Sequence, residues 1–202
     1  MNPDDTLAAL LKNNTTAIIL AGGAGRRVNG LDKGLIKWHG QPLVEHVYAR
    51  IAPQVSSVVI SCNRNTDYYR TISPIVTDLR KGLEGPLAGI EAAAPAVSTD
   101  YALIVACDTP NLPTNLVSLL LPHLVEAQSN YDIAYAHDGD RAQFLCAAIR
   151  TRRLCGAGSA LDKNISAVKA WYATERSTAV RVDVPRTAFA NHNSLSGPLG
   201  EP

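Results

Sequence analysis

The sequence predicts an α/β fold, a mostly parallel sheet covered by helices on both faces. Three observations predict it. Short apolar runs rich in β-branched residues, at 17–20, 57–62 and 101–107, alternate with segments of helical periodicity. Each of these runs ends abruptly in glycine, asparagine or aspartate, as buried parallel strands do where they empty into loops. The chain has 202 residues, 46% of them hydrophobic, which suffices for one filled core, and no linker or repeat divides it.

The elements come in this order. Residues 1–15 read as a polar N-terminal extension with a helical turn through Leu7 to Leu11. The first strand spans 17–20. Pro42 opens a helix in which Leu43, Val44, Val47, Tyr48 and Ile51 share one face, and Pro53 closes it. A strand at 57–62, a short helix at 68–72 and a short strand at 75–77 come next. The alanine-rich stretch 85–97 reads as helix, 101–107 as a continuous apolar strand, and 114–127 as a helix that Pro122 kinks or breaks. Segments 131–136 and 144–149 flank His137-Asp138-Gly139-Asp140, a connection suited to a hairpin-like pair. Helical patches are expected at 151–155 and 159–171, and a late strand at 179–184. The tail from Ser194 is expected to fray. The organisation is a 1–15 extension, one domain over 16–193 and a 194–202 tail.

Bulk properties exclude several classes. A net charge of +1 argues against a nucleic-acid or membrane binder, so any affinity for phosphate must come from a local cluster. No apolar stretch approaches the ~20 residues that span a bilayer. The opening Met1-Asn2-Pro3-Asp4-Asp5 is acidic, unlike a secretory signal. Cys62, Cys107, Cys146 and Cys155 form no Cys-x-x-Cys pair and lack zinc-ligand spacing, so reduced, buried thiols in a cytoplasmic protein are expected.

The chemistry concentrates at strand ends. Leu20-Ala21-Gly22-Gly23-Ala24-Gly25-Arg26-Arg27 follows the first strand, and Asp32-Lys33-Gly34 comes soon after. Glycines let a backbone turn tightly and present N–H groups to phosphate oxygens, and Arg26, Arg27 and Lys33 supply positive charge. A glycine-rich turn with solvated arginines is the plainer alternative. The P-loop spelling is absent, because Lys33 precedes Gly34 and not Ser or Thr; the dinucleotide fingerprint fails at Val28. Asp108 closes the third strand, where a carboxylate either holds a divalent metal that bridges phosphates or caps an Asx-type turn. Asp78 ends the 75–77 run in the same way, and Gly85-Pro86-Leu87-Ala88-Gly89 enters the next helix, either to let a flat base approach the backbone or as ordinary helix-start punctuation. Asn63 follows the second strand, and Asn191-His192-Asn193 follows the last. Asparagine both donates and accepts, so these can contact a nucleotide or simply form turns. Neither a histidine set nor a nucleophile elbow is present.

Leu-Ala-Gly-Gly-x-x-x-Arg-x-x-Gly-x-Asp-Lys-Gly resembles the signature of the molybdenum cofactor guanylyltransferases, the MobA-like family within the nucleotidyltransferase superfamily. The resemblance implies a single-domain, three-layer α/β/α Rossmann-like sandwich. It implies that Leu20, Ala21, Gly22 and Gly23 contact guanine nucleotide and that Lys33 contacts its phosphates. Asp78 with Gly85 and Gly89 matches the nucleotide-side loop, and Asp108 matches the magnesium aspartate. His137-Asp138-Gly139 looks like the family's His-Asp-Gly turn, and Asn191 and Asn193 resemble its pterin-side element. Three positions depart from the pattern. Ser61 stands where relatives have a nucleotide-contacting asparagine, with Asn63 two residues on. Phe144 replaces a frequent proline after Gln143, and Asn193 leads into Ser194-Leu195.

The expectation is transfer of GMP from GTP to molybdenum-molybdopterin, with Mg²⁺ on Asp108 and with Lys33 and Arg27 stabilising phosphates. Molybdoenzymes or cofactor-delivery proteins are the recipients it suggests, and a monomer is expected. A CTP- or UTP-using nucleotidyltransferase and a non-catalytic cofactor-binding module remain the alternatives. All of this requires Lys33 and Asp108 to face one crevice.

Overall fold

Apolar runs too short for helices become the buried middle of a seven-stranded sheet. The computed structural model describes residues 3–22, 31–82, 85–126 and 128–192. The chain runs α1 (Pro3–Asn13), β1 (Thr15–Leu20), β2 (Lys37–Trp38), β3 (Gln41–Pro42), α2 (Leu43–Ile51), β4 (Ser57–Ser61), α3 (Thr66–Ile72), β5 (Ile75–Val76) and α4 (Pro86–Ala93). Next come β6 (Tyr101–Ala106), α5 (Leu116–Leu120), α6 (Pro122–Val125), β7 (Ile133–His137), β8 (Ala142–Arg150), α7 (Gly156–Asp162), α8 (Val168–Tyr172) and β9 (Ser177–Arg181).

The main sheet has the order β5-β4-β1-β6-β8-β7-β9. All pairings are parallel except those of β8, which runs antiparallel to both β6 and β7. β1 lies near the centre, and Ala17, Ile18 and Ile19 are fully buried because both faces are covered. Alternation along it divides the interior into two layers. Ala17 and Ile19 pack with Val44, Val47 and Ile51 of α2 and with Leu116 and Leu120 of α5. Ile18 packs on the other face with Leu87 and Ile90 of α4, Ala157 and Leu161 of α7, and Trp171 and Tyr172 of α8. The result is the expected α/β/α sandwich with a mostly parallel sheet.

Several boundaries differ from the sequence expectation. The region read as a polar extension carries a full helix, α1, whose Leu11 is buried and whose Leu11 carbonyl accepts from Thr15 Oγ1 at 2.6 Å. Its other leucines, Leu7 and Leu10, are exposed, so the amphipathic signal is weak. The helix expected at 85–97 stops at Ala93 and continues as a 3-10 turn, Ala94–Ala96, since Pro95 has no N–H to offer. The patch at 159–171 divides into α7 and α8, with Asn164 at φ 59 between them; asparagine tolerates that left-handed conformation better than most residues. The β2–β3 hairpin was not anticipated. Its turn residues His39 (φ 47) and Gly40 (φ 83) are both left-handed, as the tightest two-residue turn requires. Among the described residues no helix is long and apolar enough to cross a membrane.

Candidate active site

The carboxyl ends of β1, β4 and β6 are level: Leu20 pairs with Ser61 on one side and with Ala106 on the other. Ligands of parallel sheets bind beyond this edge. Ala21 leaves β1 donating its N–H to the Ser61 carbonyl at 2.8 Å, and Gly22 comes so near β4 that a Cβ there would lie 3.2 Å from Asn63 Nδ2. Gly23, Gly25 and Arg27 lie outside the described residues.

The chain re-enters at Asp32, which anchors the next turn. Asp32 Oδ1 accepts from the Gly34 N–H at 3.1 Å and from the Tyr69 hydroxyl at 2.6 Å, while Oδ2 accepts from Asn65 Nδ2 at 2.9 Å. Tyr69 is fully buried on α3 and reaches Asp32 past Gly34, where an added Cβ would collide with the hydroxyl oxygen. Glycine is therefore required at 34 for close approach. The 3-10 turn that this anchor holds, Lys33–Leu35, aims Lys33 Nζ to 3.4 Å from Asp108 Oδ2. The Asp108 side chain is only 9% exposed, that of Lys33 26%. The strand-end carboxylate and the loop lysine thus meet as an ion pair at the sheet's carboxyl edge.

On the β4 side, Asn63 and Asp78 bind each other reciprocally: Asn63 Nδ2 donates to Asp78 Oδ2 at 2.8 Å, and the Asp78 N–H donates to Asn63 Oδ1 at 2.9 Å. Burial pushes the Asp78 carboxyl upward, Asn63 partly offsets this, and Glu91 adds to the rise. Arg80 fastens the loop beyond. Its guanidinium is bidentate to Glu91 of α4, at 2.8 and 2.7 Å, and reaches Asp162 of α7 at 2.6 Å. Gly85 precedes α4 with extended backbone.

Two expected nucleotide contacts are placed otherwise. Gly89 lies within α4, buried, where a Cβ would come 2.5 Å from Ser61 Oγ and 3.0 Å from Leu20 Cδ2. Its service is to let α4 press on the ends of β1 and β4, as a helix can only where a side chain is missing. Ser61 is 1% exposed, and its hydroxyl is enclosed beneath Gly89 with no hydrogen-bond partner among the described residues. Asn63, which is exposed, presents the amide at this edge.

A second set of polar groups gathers at the β7–β8 turn and the 189–192 segment. Asp138 Oδ1 accepts from the N–H groups of Arg141 (2.7 Å) and Asp140 (2.9 Å), and Oδ2 from Gln143 Nε2 at 2.8 Å. These bonds hold its carboxyl down to about 2. Asp138, Arg141, Gln143, Phe189 and Asn191 line a hollow of about 370 Å³. The neighbouring His192 donates its backbone N–H to the Asp108 carbonyl at 2.8 Å, which ties this hollow to the Lys33–Asp108 pair. His192 also packs on Trp38, ring centroids 5.0 Å apart. Burial, and then His39, lower the pKa of His192. Asn193 lies outside the described residues.

The anchor Asp32–Tyr69, the strap Arg80 and the Trp38–His192 wall were missed by sequence reasoning. Asp32 is part of the glycine-loop motif, but its partner is 37 residues away, and no local pattern joins them.

A doubly covered, mostly parallel sheet that gathers Gly22, a lysine and a strand-end carboxylate on its carboxyl edge has the architecture of a nucleotide-handling α/β protein. The family described as MobA-like NTP transferase domain matches residues 17–180, and the chain belongs to that family of nucleotidyltransferases. Relatives agree. The molybdenum cofactor guanylyltransferase of Mannheimia succiniciproducens is 46% identical over 127 residues, 62% of this chain and 66% of that protein. Its counterpart from Pasteurella multocida is 35% identical over 181 residues, 89% of this chain and 95% of that one. Among solved structures, molybdopterin-guanine dinucleotide biosynthesis protein A from Archaeoglobus fulgidus shares the fold with a TM-score of 0.71 at 21% identity, covering 89% of this chain and 93% of its own.

Proposed function

We propose that the protein transfers GMP from GTP to the terminal phosphate of molybdenum-bound molybdopterin, forming the guanine dinucleotide and releasing pyrophosphate. The observation that carries this reading is the 3.4 Å approach of Lys33 Nζ to Asp108 Oδ2 at the sheet's carboxyl edge, in a chain whose relatives bear the guanylyltransferase name.

An acceptor phosphate oxygen attacks the α-phosphorus of GTP, and the bond from that phosphorus to the bridging oxygen of the leaving pyrophosphate breaks. The acceptor is already an anion, so no strong general base is needed. The barrier comes from repulsion between two anions and from charge gathering on the leaving group, and the remedy is positioning and fixed positive charge. Lys33 supplies that charge, held in place by the Asp32–Tyr69 anchor. Gly22 lets phosphates approach the backbone, and Arg27 is proposed to join Lys33. The 370 Å³ hollow at Asp138, Gln143 and Asn191 receives the acceptor.

Asp108 fits a magnesium ion. It is a hard oxygen donor at a strand end, its side chain 9% exposed beside Lys33. Magnesium commonly takes one or two carboxylates and fills its other positions with water and substrate phosphate. Such an ion would supply neutralisation of phosphate charge at Asp108.

The test is pyrophosphate release from GTP with magnesium and molybdopterin. Asp108→Asn and Lys33→Ala should each lower kcat by about 10²-fold or more, the scale of losing a transition-state charge contact, while circular dichroism and Tm stay near the parent values. Parental turnover by Asp108→Asn would remove the carboxylate from the chemistry. Faster release from CTP or UTP than from GTP would overturn the guanine assignment.

A further inference from the structure

A second cationic centre lies at the opposite edge of the sheet. β8 runs against its neighbours, so its last residue, Arg150, arrives where the parallel strands begin, beside Asp132 before β7 and Arg176 before β9. Asp132 is fully buried and holds four guanidinium groups: Arg152 at 2.6 Å, Arg176 at 2.7 Å, Arg153 at 2.9 Å and Arg150 at 3.7 Å. One carboxylate cannot neutralise four cations. The Arg152 and Arg176 side chains remain more than half exposed, at 59% and 54%. A whole-chain charge of only +1 makes the local excess the more marked.

A hollow of about 270 Å³ opens beside this cluster, lined by Arg152, Arg153, Lys163, Trp171 and Glu175. Trp171 is 1% exposed, and its Nε1–H, which can only donate, has no hydrogen-bond partner among the described residues. Gly156 keeps the way to it open, because a Cβ there would lie 3.0 Å from Nε1 and 3.1 Å from Glu175 Oε1. The Glu175 carboxylate is turned toward Arg153, Oε2 at 3.8 Å from Nη1, and cancels one charge. A concave site with surplus cations and an unused buried donor suits a ligand rich in acceptors and negative charge. Its volume falls just below the usual range for small-molecule pockets, ~300–1,000 Å³.

We propose that this hollow is a second oxyanion site, taking a phosphate-class group, free or carried on a small organic molecule, and distinct from the Lys33–Asp108 site. Arg152 and Lys163 meet the anion's charge, and Trp171 Nε1 donates to one of its oxygens.

The chain has two tryptophans, so Trp38→Phe leaves Trp171 as the sole reporter in the full-length protein. Titration with inorganic pyrophosphate should give a saturable change in Trp171 fluorescence, and in the parent protein should slow alkylation of Cys155, the exposed thiol at the rim. Arg152→Gln and the surface change Lys163→Gln should each weaken both effects by about tenfold, the worth of one charge-assisted contact. Lys33→Ala should leave both intact, which separates this site from the Lys33–Asp108 site. Glycerol phosphate acting like pyrophosphate assigns the site to a phosphate on an organic carrier; pyrophosphate alone assigns it to the free oxyanion. The proposal is overturned if neither probe saturates beyond sodium chloride of equal ionic strength, if Lys163→Gln and Arg152→Gln change nothing, or if an acidic peptide protects Cys155 while both phosphates fail.

Discussion

A single methyl group separates Gly89 from a steric conflict. The Cβ of an alanine there would meet the enclosed Ser61 hydroxyl at 2.5 Å, the Leu20 side chain at 3.0 Å and Ser61 Cβ at 3.3 Å. Gly89→Ala should therefore lower stability by about 1–3 kcal/mol, the usual cost of overpacking, read as a fall in Tm. Ser61→Ala removes a buried hydroxyl that has no partner among the described residues and should leave stability equal or higher and GTP affinity unchanged. The pair should be less destabilised than the two single effects predict, because the oxygen at the nearest contact is gone. A Gly89→Ala protein as stable as its parent would show that the helix can back away. The role of Gly89 was not legible in the sequence: a glycine at a helix start looks the same whether it makes room for a base or for a strand. The meeting of Lys33 and Asp108 was legible, because the buried strands of a parallel sheet all end at one edge and carry their loop residues to it.

Among the elements, the β7–β8 turn is held by one carboxylate. Asp138 has its pKa drawn from 3.8 to about 2 by the N–H groups of Arg141 and Asp140 and then by the Gln143 amide. A folded-state pKa below the unfolded value means that the unfolded chain takes up the proton first. The turn's contribution is thus complete above pH 3.8 and is lost as pH falls toward 2. Because the group is near the surface the effect is small. Thermal unfolding monitored through that window should show a shallower acid decline for Asp138→Ala than for the parent; identical slopes would detach the carboxylate from the turn's stability. The strand–helix alternation and this hairpin could be read from the chain, since both arise from periods of 2 and 3.6 and from turn residues. The β2–β3 hairpin could not, because strands of two residues carry no period. The break at Asn164 was hidden for a different reason: the helical pattern resumes on its far side, and only the left-handed φ of 59 reveals the interruption.

At the scale of the whole molecule, burial sorts the four thiols. Cys62, Cys107 and Cys146 are buried and Cys155 is exposed. Burial, with Asp32 adding to it, pushes the Cys62 thiol up to about 11, and burial raises Cys107 and Cys146 further. Since the thiolate is the reacting form, an alkylating reagent at neutral pH should label one cysteine in the native protein and all four after denaturation. Rapid native labelling of a second thiol would mean that the sheet opens easily. The 3.4 Å pair at the carboxyl edge has a further meaning for the intact protein. Lysine and aspartate there are each other's counter-ion, and the Asp32–Tyr69 anchor keeps them so. A triphosphate that claims the lysine strips the aspartate of its neutraliser, and a divalent cation that claims the aspartate releases the lysine. The two arrivals must then favour one another by one shared factor, and calorimetric titrations run in either order should return it.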